Sequence, residues 1–266
     1  MSGPSMRRAL FALGLAGIAL VACVESDPVP KPGATEGAAP ASAAPSLTWE
    51  QLMGRSVQAR KAGRIREAED LLQQAVNLSA TFSPHDMRRA HTRMSQAEFY
   101  LWSSQPLLAE QAYKEAVTIG ESTGVADHSG MISLLEGLAN FYYYRERYDE
   151  VEPLYARILS IVRVATPYDS HEEARRLRNL AQVNRLRRKF AVAESQFLHA
   201  LRLVEESPRR SPDEVAEYLQ AAAECYLAWG KAARAESFAA RALKQMEEFA
   251  GPDTLAVVPY LKTLAE

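Results

Sequence analysis

From Leu47 onward apolar residues recur at three- and four-residue spacing, with no strand-like alternation and no hairpin dipeptide, so the pattern predicts helices throughout. The pattern also repeats. With Gly63, Ser104, Glu146, Arg188 and Gly230 superposed as turn positions, the chain aligns with itself at steps of 41, 42, 42 and 42 residues. Seven residues before each turn stand Ser56, Ala97, Ala139, Ala181 and Ala223; five after it, Ala68, Ala109, Val151, Ala193 and Ala235; twelve after it, Ala75, Ala116, Ile158, Ala200 and Ala242. Small side chains at these places let two antiparallel helices approach closely. Larger residues fill the remaining space: Leu52, Leu135, Leu177 and Leu219 eleven before the turn, Tyr100, Tyr142 and Tyr226 four before it, and Leu72, Tyr113, Tyr155 and Phe197 nine after it. One helix pair is too small to bury a core of its own, so the units must stack and share one.

These columns resemble the tetratricopeptide repeat from Leu47 to about Phe249. The 42-residue spacing resembles the kinesin-light-chain subclass in particular. So do the words Leu138-Ala139-Asn140-Phe141-Tyr142 and Val151-Glu152-Pro153-Leu154-Tyr155, the column Glu69, Glu110, Glu152, Glu194 and Glu236, and the closing Gly251-Pro252-Asp253-Thr254-Leu255. The resemblance implies an all-α, right-handed superhelical solenoid. It would hold about five helix pairs, near 48–83, 88–124, 130–166, 172–208 and 213–249, and a capping helix over 253–266. Departures are Arg55 and Ala59 in the first repeat, where Leu and Tyr are usual, and Arg93 and Pro106 in the second. Pro153, two turns into a predicted helix, removes a backbone hydrogen bond and is expected to kink it, and Pro259 blurs the extent of the last helix.

The N-terminal part has no such periodicity. Arg7 and Arg8 precede an apolar run from Ala9 to Ala22, the order of an export signal, and the run is shorter than the roughly 20 residues a membrane span needs. It closes with Leu20-Val21-Ala22-Cys23, which resembles the lipobox of bacterial lipoproteins at all four positions. That resemblance implies a signal peptide over 1–22 and a lipidated Cys23 carrying two or more acyl chains, enough for stable attachment. Val24 after the cysteine, rather than Asp, points by the family's sorting rule to the outer membrane, facing the periplasm. Met1 and Met6 are both usable starts. Residues 24–46 hold Pro28, Pro30, Pro32, Pro40 and Pro45 among alanines and no aromatic residue, so they read as a disordered linker. Its reach is about 70 Å if fully extended and about 27 Å as a coil.

Composition narrows the function classes. The charge is -2, from 31 Lys+Arg and 33 Asp+Glu, and removing residues 1–22, which carry Arg7 and Arg8 and no acid, leaves -4. Neither value steers nucleic acid, and an exported protein meets little of it, so no nucleic-acid partner is expected. The basic run Arg185-Leu186-Arg187-Arg188-Lys189 reads as a solvated patch near a turn. His85, His91, His128, His171 and His199 lack the spacing of a metal site, and no phosphate loop or nucleophile elbow occurs, so no metal, cofactor or catalysis is expected. With only Cys23 and Cys225 there is no disulfide framework, and Cys225 reads as a small core residue.

The repeat resemblance places the concave lining 13, 10, 6, 3 and 2 residues before each turn. The second repeat then offers His91, Met94, Glu98, Leu101 and Trp102, and the third Ser133, Glu136, Asn140, Tyr143 and Tyr144. The fourth offers Arg175, Arg178, Gln182, Arg185 and Leu186, and the fifth Glu217, Gln220, Glu224 and Leu227. Flat aromatics beside arginines suit an extended peptide or helix bearing carboxylates. The alternative is that the aromatics pack between repeats and the arginines form a solvated face. The sequence therefore reads as a lipid-anchored, non-enzymatic scaffold or adaptor of the bacterial envelope that holds a protein or peptide partner. A self-associating structural component is the second reading, and an enzyme with an unrecognised site the third.

Overall fold

The computed structural model describes residues 47–124, 128–252 and 254–265; the expected signal peptide, Cys23 and the linker lie outside them. Residues 47–266 form one compact unit. Its helices are α1 (Trp49–Lys61), α2 (Ile65–Ser79), α3 (Met87–Trp102), α4 (Pro106–Ser122), α5 (His128–Tyr143) and α6 (Tyr148–Val164). They continue with α7 (Ser170–Leu186), α8 (Phe190–Glu205), α9 (Pro212–Trp229), α10 (Ala232–Ala250) and α11 (Val258–Ala265), the last preceded by a 3-10 turn at Leu255–Val257. No strand occurs among the described residues. The chain is an all-α stack of helix pairs α1–α2 to α9–α10, closed by α11.

The repeat register is written into the backbone. All five turn positions are left-handed, with φ of 72° at Gly63, 60° at Ser104, Glu146 and Arg188, and 77° at Gly230. At each turn the following amide donates back to a carbonyl in the last turn of the first helix. The pairs are Arg64 to Ala59, Gln105 to Tyr100, Arg147 to Tyr142, Lys189 to Asn184 and Lys231 to Tyr226. This geometry satisfies orphan carbonyls and turns the chain sharply enough for the second helix to fold back. Three of the first helices begin with a side-chain cap, from Thr48, Asp86 and Asp169.

The small residues are buried in all three columns, and Ala59 joins them in the first repeat. Leu52, Leu135, Leu177 and Leu219 are buried beside them, as are Leu72, Tyr113, Tyr155 and Phe197; burial of each such side chain contributes roughly 1.5–3 kcal/mol. Repeats 2 to 5 share one large cluster, beside a smaller one of Ala181, Ala193, Phe197, Ala222 and Cys225 between repeats 4 and 5, whereas repeat 1 packs in a separate one completed by Phe99 and Tyr100.

Each departure has its own accommodation. Arg93 turns outward to Glu115 at 3.5 Å and Gln96 at 2.8 Å. Pro106 opens α4, where a missing N–H costs nothing. Helix α6 runs unbroken through Pro153, and Pro259 sits in the first turn of α11. In repeat 4 the tyrosine column holds buried Asn184, whose Nδ2 donates to the Leu180 carbonyl at 3.2 Å and to Gln196 Oε1 at 3.0 Å.

Candidate functional site: the inner face and its turn edge

Curvature follows from which helices touch. First helices of neighbouring repeats pack together at four junctions (α1 with α3, α3 with α5, α7 with α9, α9 with α11), while α5 and α7 meet through the long Arg176–Glu136 pair. Second helices meet through long side chains, as in the Arg157–Glu121 and Arg241–Glu205 pairs. The first helices therefore form the tighter, inner face. In the columns expected to line it, none of His91, Met94, Glu98, Leu101, Trp102, Ser133, Glu136, Asn140, Tyr143, Tyr144, Arg175, Arg178, Gln182, Arg185 or Leu186 is buried, while intervening positions on the same helices are.

The apolar part of this face is uneven. Trp102 leans on Phe99 at 6.0 Å between ring centres and stays 39% exposed; Tyr144 is 66% exposed and meets Tyr143 edge-on at 6.0 Å. Tyr143 packs also on Tyr148, at 5.6 Å. Burial raises the pKa of its hydroxyl, opposed by Arg185 and by a hydrogen bond with Gln182. Aromatic area here is thus split between packing, at Tyr143, and presentation, at Trp102 and Tyr144.

The charged part is largely self-paired. Arg60 meets Glu98 at 2.8 Å and Arg178 meets Glu217 at 2.9 Å, each across two first helices. Arg178 also lies 5.0 Å over the Tyr218 ring. Arg175 is held by Glu172, with Nε–Oε2 at 3.0 Å. Glu136 is taken by Arg176, a residue outside the expected lining, whose Nε also donates to Glu172 at 2.7 Å. Of the three groove arginines expected to receive a carboxylate, only Arg185 has none among the described ion pairs; its Nε donates to Gln182 Oε1 at 3.1 Å. The sequence carried one signal for Arg176. It stands twelve before its turn, in a column otherwise holding Gln51, Thr92, Leu134 and Tyr218.

At the turn edge of this face the glutamate column ties successive repeats. Glu110 accepts from Lys114 and Arg147, both at 2.8 Å, and from the Tyr142 hydroxyl at 3.1 Å. Glu152 takes Arg187 and, at 2.8 Å, Lys189; Glu194 takes the Tyr226 hydroxyl at 2.7 Å and Arg234 at 2.5 Å. The hydrogen bond from Lys114, helped by Arg147 and Tyr142, holds the Glu110 pKa down at about 2.

Cys225 is 1% exposed, and burial pushes its thiol up to about 11, so it stays a neutral thiol packed near Phe197 and Ala222. No group of three or more His, Cys, Asp or Glu residues placed to hold a metal occurs among the described residues, and no helix there is long and apolar enough to cross a membrane.

Comparison with known proteins agrees with this geometry. Residues 130–206 match the tetratricopeptide repeat family. No curated protein sequence matches the chain. Among solved structures, the chain is similar to nearly identical kinesin-light-chain TPR-like repeats of Podosopora anserina, at TM-score 0.65 and 17% identity, over 76% of this chain and 96% of that one. It is similar to BtubC (BKLC) of P. vanneervenii at TM-score 0.63 and 18% identity, over 76% and 81% of the two chains. Similarity extends to aspartyl phosphate phosphatase F of Bacillus subtilis, at TM-score 0.59 and 13% identity, over 81% of this chain and 54% of that one. At these identities the likeness is one of fold. Tetratricopeptide repeats are thus matched over residues 130–206, and the described stack shares the fold of kinesin-light-chain-like repeats.

Proposed function

Starting from a stack of tetratricopeptide repeats, a fold that serves in general as a scaffold for protein interactions, we propose that this chain is a lipid-anchored adaptor of the bacterial envelope. It binds a peptide or protein segment along its inner face and performs no catalysis of its own. The supporting observation is that the inner face is open along α3, α5 and α7, with Trp102 and Tyr144 exposed beside polar side chains that neighbouring helices already hold in place. An interaction surface built this way offers stacking area and oriented polar groups at low entropic cost. The fold alone names no partner. Attachment through Cys23 and an extended linker would let the repeats act away from the lipid surface.

Two experiments test this reading. Labelling with a fatty acid marks the wild-type chain and not Cys23→Ser; equal labelling of both removes the anchor. Crosslinking in the native envelope, followed by mass spectrometry, compares wild type with Trp102→Ala/Tyr144→Ala. A partner captured by the wild type and lost from the variant supports the groove, and a partner held equally by both places binding elsewhere.

The self-associating reading has one observation of its own. Helix α11 buries Tyr260 and Thr263 against the stack while Leu261 is 46% and Leu264 36% exposed on its other side, although Leu261 occupies the column of buried Leu52, Leu135, Leu177 and Leu219. If copies associate through this face, the mass by light scattering rises with concentration for wild type and not for Leu261→Glu/Leu264→Glu.

A further inference from the structure

Along the inner face and turn edge of repeats 3 to 5 most cations are paired. Those on the inner face are neutralised within the fold: Arg175 and Arg176 by Glu172, Arg176 also by Glu136, and Arg178 by Glu217. At the turn edge Arg147 is held by Glu110 and Glu150, Arg187 by Asp149 and Glu152, and Lys189 by Glu152. On the inner face and turn edge four cations belong to no ion pair among the described residues, Arg145, Arg185, Arg188 and Lys231; Arg202 and Arg210, also outside the ion pairs, lie on α8 and after it, away from the turns. The four come from three consecutive repeats, one before the turn in repeat 3, three before it and at it in repeat 4, and one after it in repeat 5.

Neutral groups hold three of them in place. The Arg145 guanidinium lies 4.0 Å over the Phe141 ring, and Lys231 Nζ lies 3.0 Å over Trp229, which is itself stacked on Phe190 at 5.8 Å. Arg185 is oriented by Gln182. Arg188 is placed by its backbone, at φ 60°, in a left-handed conformation that repeats 1 and 5 assign to glycine. A cation lying on a ring keeps outward N–H groups for an anion, and a guanidinium presents them as a fork that fits a carboxylate. The charges are not scattered either. Arg187 and Lys189, on either side of Arg188, pair with Asp149 and Glu152 just past the repeat 3 turn, and Trp229 beneath Lys231 stacks on Phe190 just past the repeat 4 turn.

We propose that this turn edge is a docking strip for an acidic protein segment, with Arg145, Arg185, Arg188 and Lys231 receiving its carboxylates and exposed Tyr144 supplying stacking area beside Arg145. The proposal rests on the peptide-binding reading for the class of partner, but moves recognition of acidic groups from Arg175 and Arg178 to the edge. The surrounding charges favour a peptide over an anionic lipid surface. Glu146, Asp149 and Glu150 stand among these cations, and a continuous sheet of negative charge would be repelled by them, whereas separate carboxylates can be placed between them.

The test uses the full chain carrying Cys23→Ser, which keeps anchoring out of the measurement, and two fluorescent peptides of about twelve residues, one with Glu at alternate positions and one with Gln there. By anisotropy at low salt, the Glu peptide binds at least ten-fold more tightly than the Gln peptide, and raising the salt to a few hundred millimolar removes the difference. Arg145→Gln/Arg188→Gln and Arg145→Gln/Lys231→Gln each lose at least five-fold in affinity for the Glu peptide, with melting temperatures close to the parent's. Arg202→Gln and Arg241→Gln, on second helices away from both the inner face and the turn edge, lose less than two-fold. Equal binding of the two peptides, or parental affinity in both edge variants, overturns the proposal. Loss of binding in Trp102→Ala with none in the edge variants overturns it while leaving the groove reading standing. Sedimentation with phosphatidylglycerol vesicles that depends on Arg145 and Arg188, without binding of the Glu peptide, overturns it in favour of a lipid surface.

Discussion

Arg176 on α7 and Glu136 on α5 form an ion pair across two repeats, with the arginine side chain 5% exposed and the glutamate 34% exposed. Glu172, one turn earlier on α7, shares the same guanidinium at 2.7 Å. The arginine fills a space that Leu134 and Tyr218 fill in the flanking repeats, so it joins neighbouring inner helices by charge where its neighbours use apolar contact.

Truncation at this site separates the two contributions. Arg176→Ala leaves a cavity and strips Glu136 of its partner, Glu172 keeping Arg175, and is expected to cost about 2–4 kcal/mol, whereas Arg176→Leu restores the apolar contact while the partly exposed glutamates hydrate, and recovers most of the loss. Urea unfolding of both variants checks this; equal losses would mean that charge pairing, not volume, holds the position.

The left-handed turns carry stored strain at three places. A non-glycine residue in this conformation costs roughly 1–2 kcal/mol, partly offset when glycine replaces it because the unfolded chain gains freedom. Ser104→Gly and Glu146→Gly, both at φ 60°, are each expected to stabilise by about 0.5–1 kcal/mol, and Gly230→Ala, at φ 77°, to destabilise by a similar amount. Thermal melting of the three variants gives the signs directly.

Close helix approach makes the small columns sensitive to volume. Ala181 is fully buried against Ala193, Phe197 and Ala222, so Ala181→Leu is expected to overpack the contact by about 1–3 kcal/mol. An unchanged melting temperature would show that α7 does not pack α8 and α9 as described.

Acid should loosen the tie between repeats 2 and 3. The Glu110 pKa is about 2 in the fold against an ordinary 4.5, so its contribution to stability is complete above about pH 4.5 and is lost as the pH falls toward 2. Glu110→Gln removes that contribution at neutral pH and is expected to flatten the fall of the urea midpoint between pH 5 and pH 2. A wild-type profile as flat as the variant's would place the titration elsewhere.

How much of this was legible along the chain depends on the range of the interaction concerned. Close packing of antiparallel helices demands Ala97, Ala139, Ala181 and Ala223 seven before each turn and alanine or a β-branched residue in the other two columns, and those demands recur at one spacing. The turn positions and the helix pairs could therefore be read from periodicity alone, while the inner columns came from the resemblance to the repeat family. The turns could be read even where Ser104, Glu146 and Arg188 replace the glycine that the backbone prefers, because the flanking columns fix the register. What only the tertiary structure decided is which charges meet. Arg176 and Glu136 are 40 residues apart, Arg178 and Glu217 are 39, and a list of side chains along the chain makes Arg145 and Arg178 look alike. Stacking brings one arginine against a carboxylate on the next helix and lays the other over a ring, because long side chains choose partners by the distance between neighbouring helices, which periodicity does not encode.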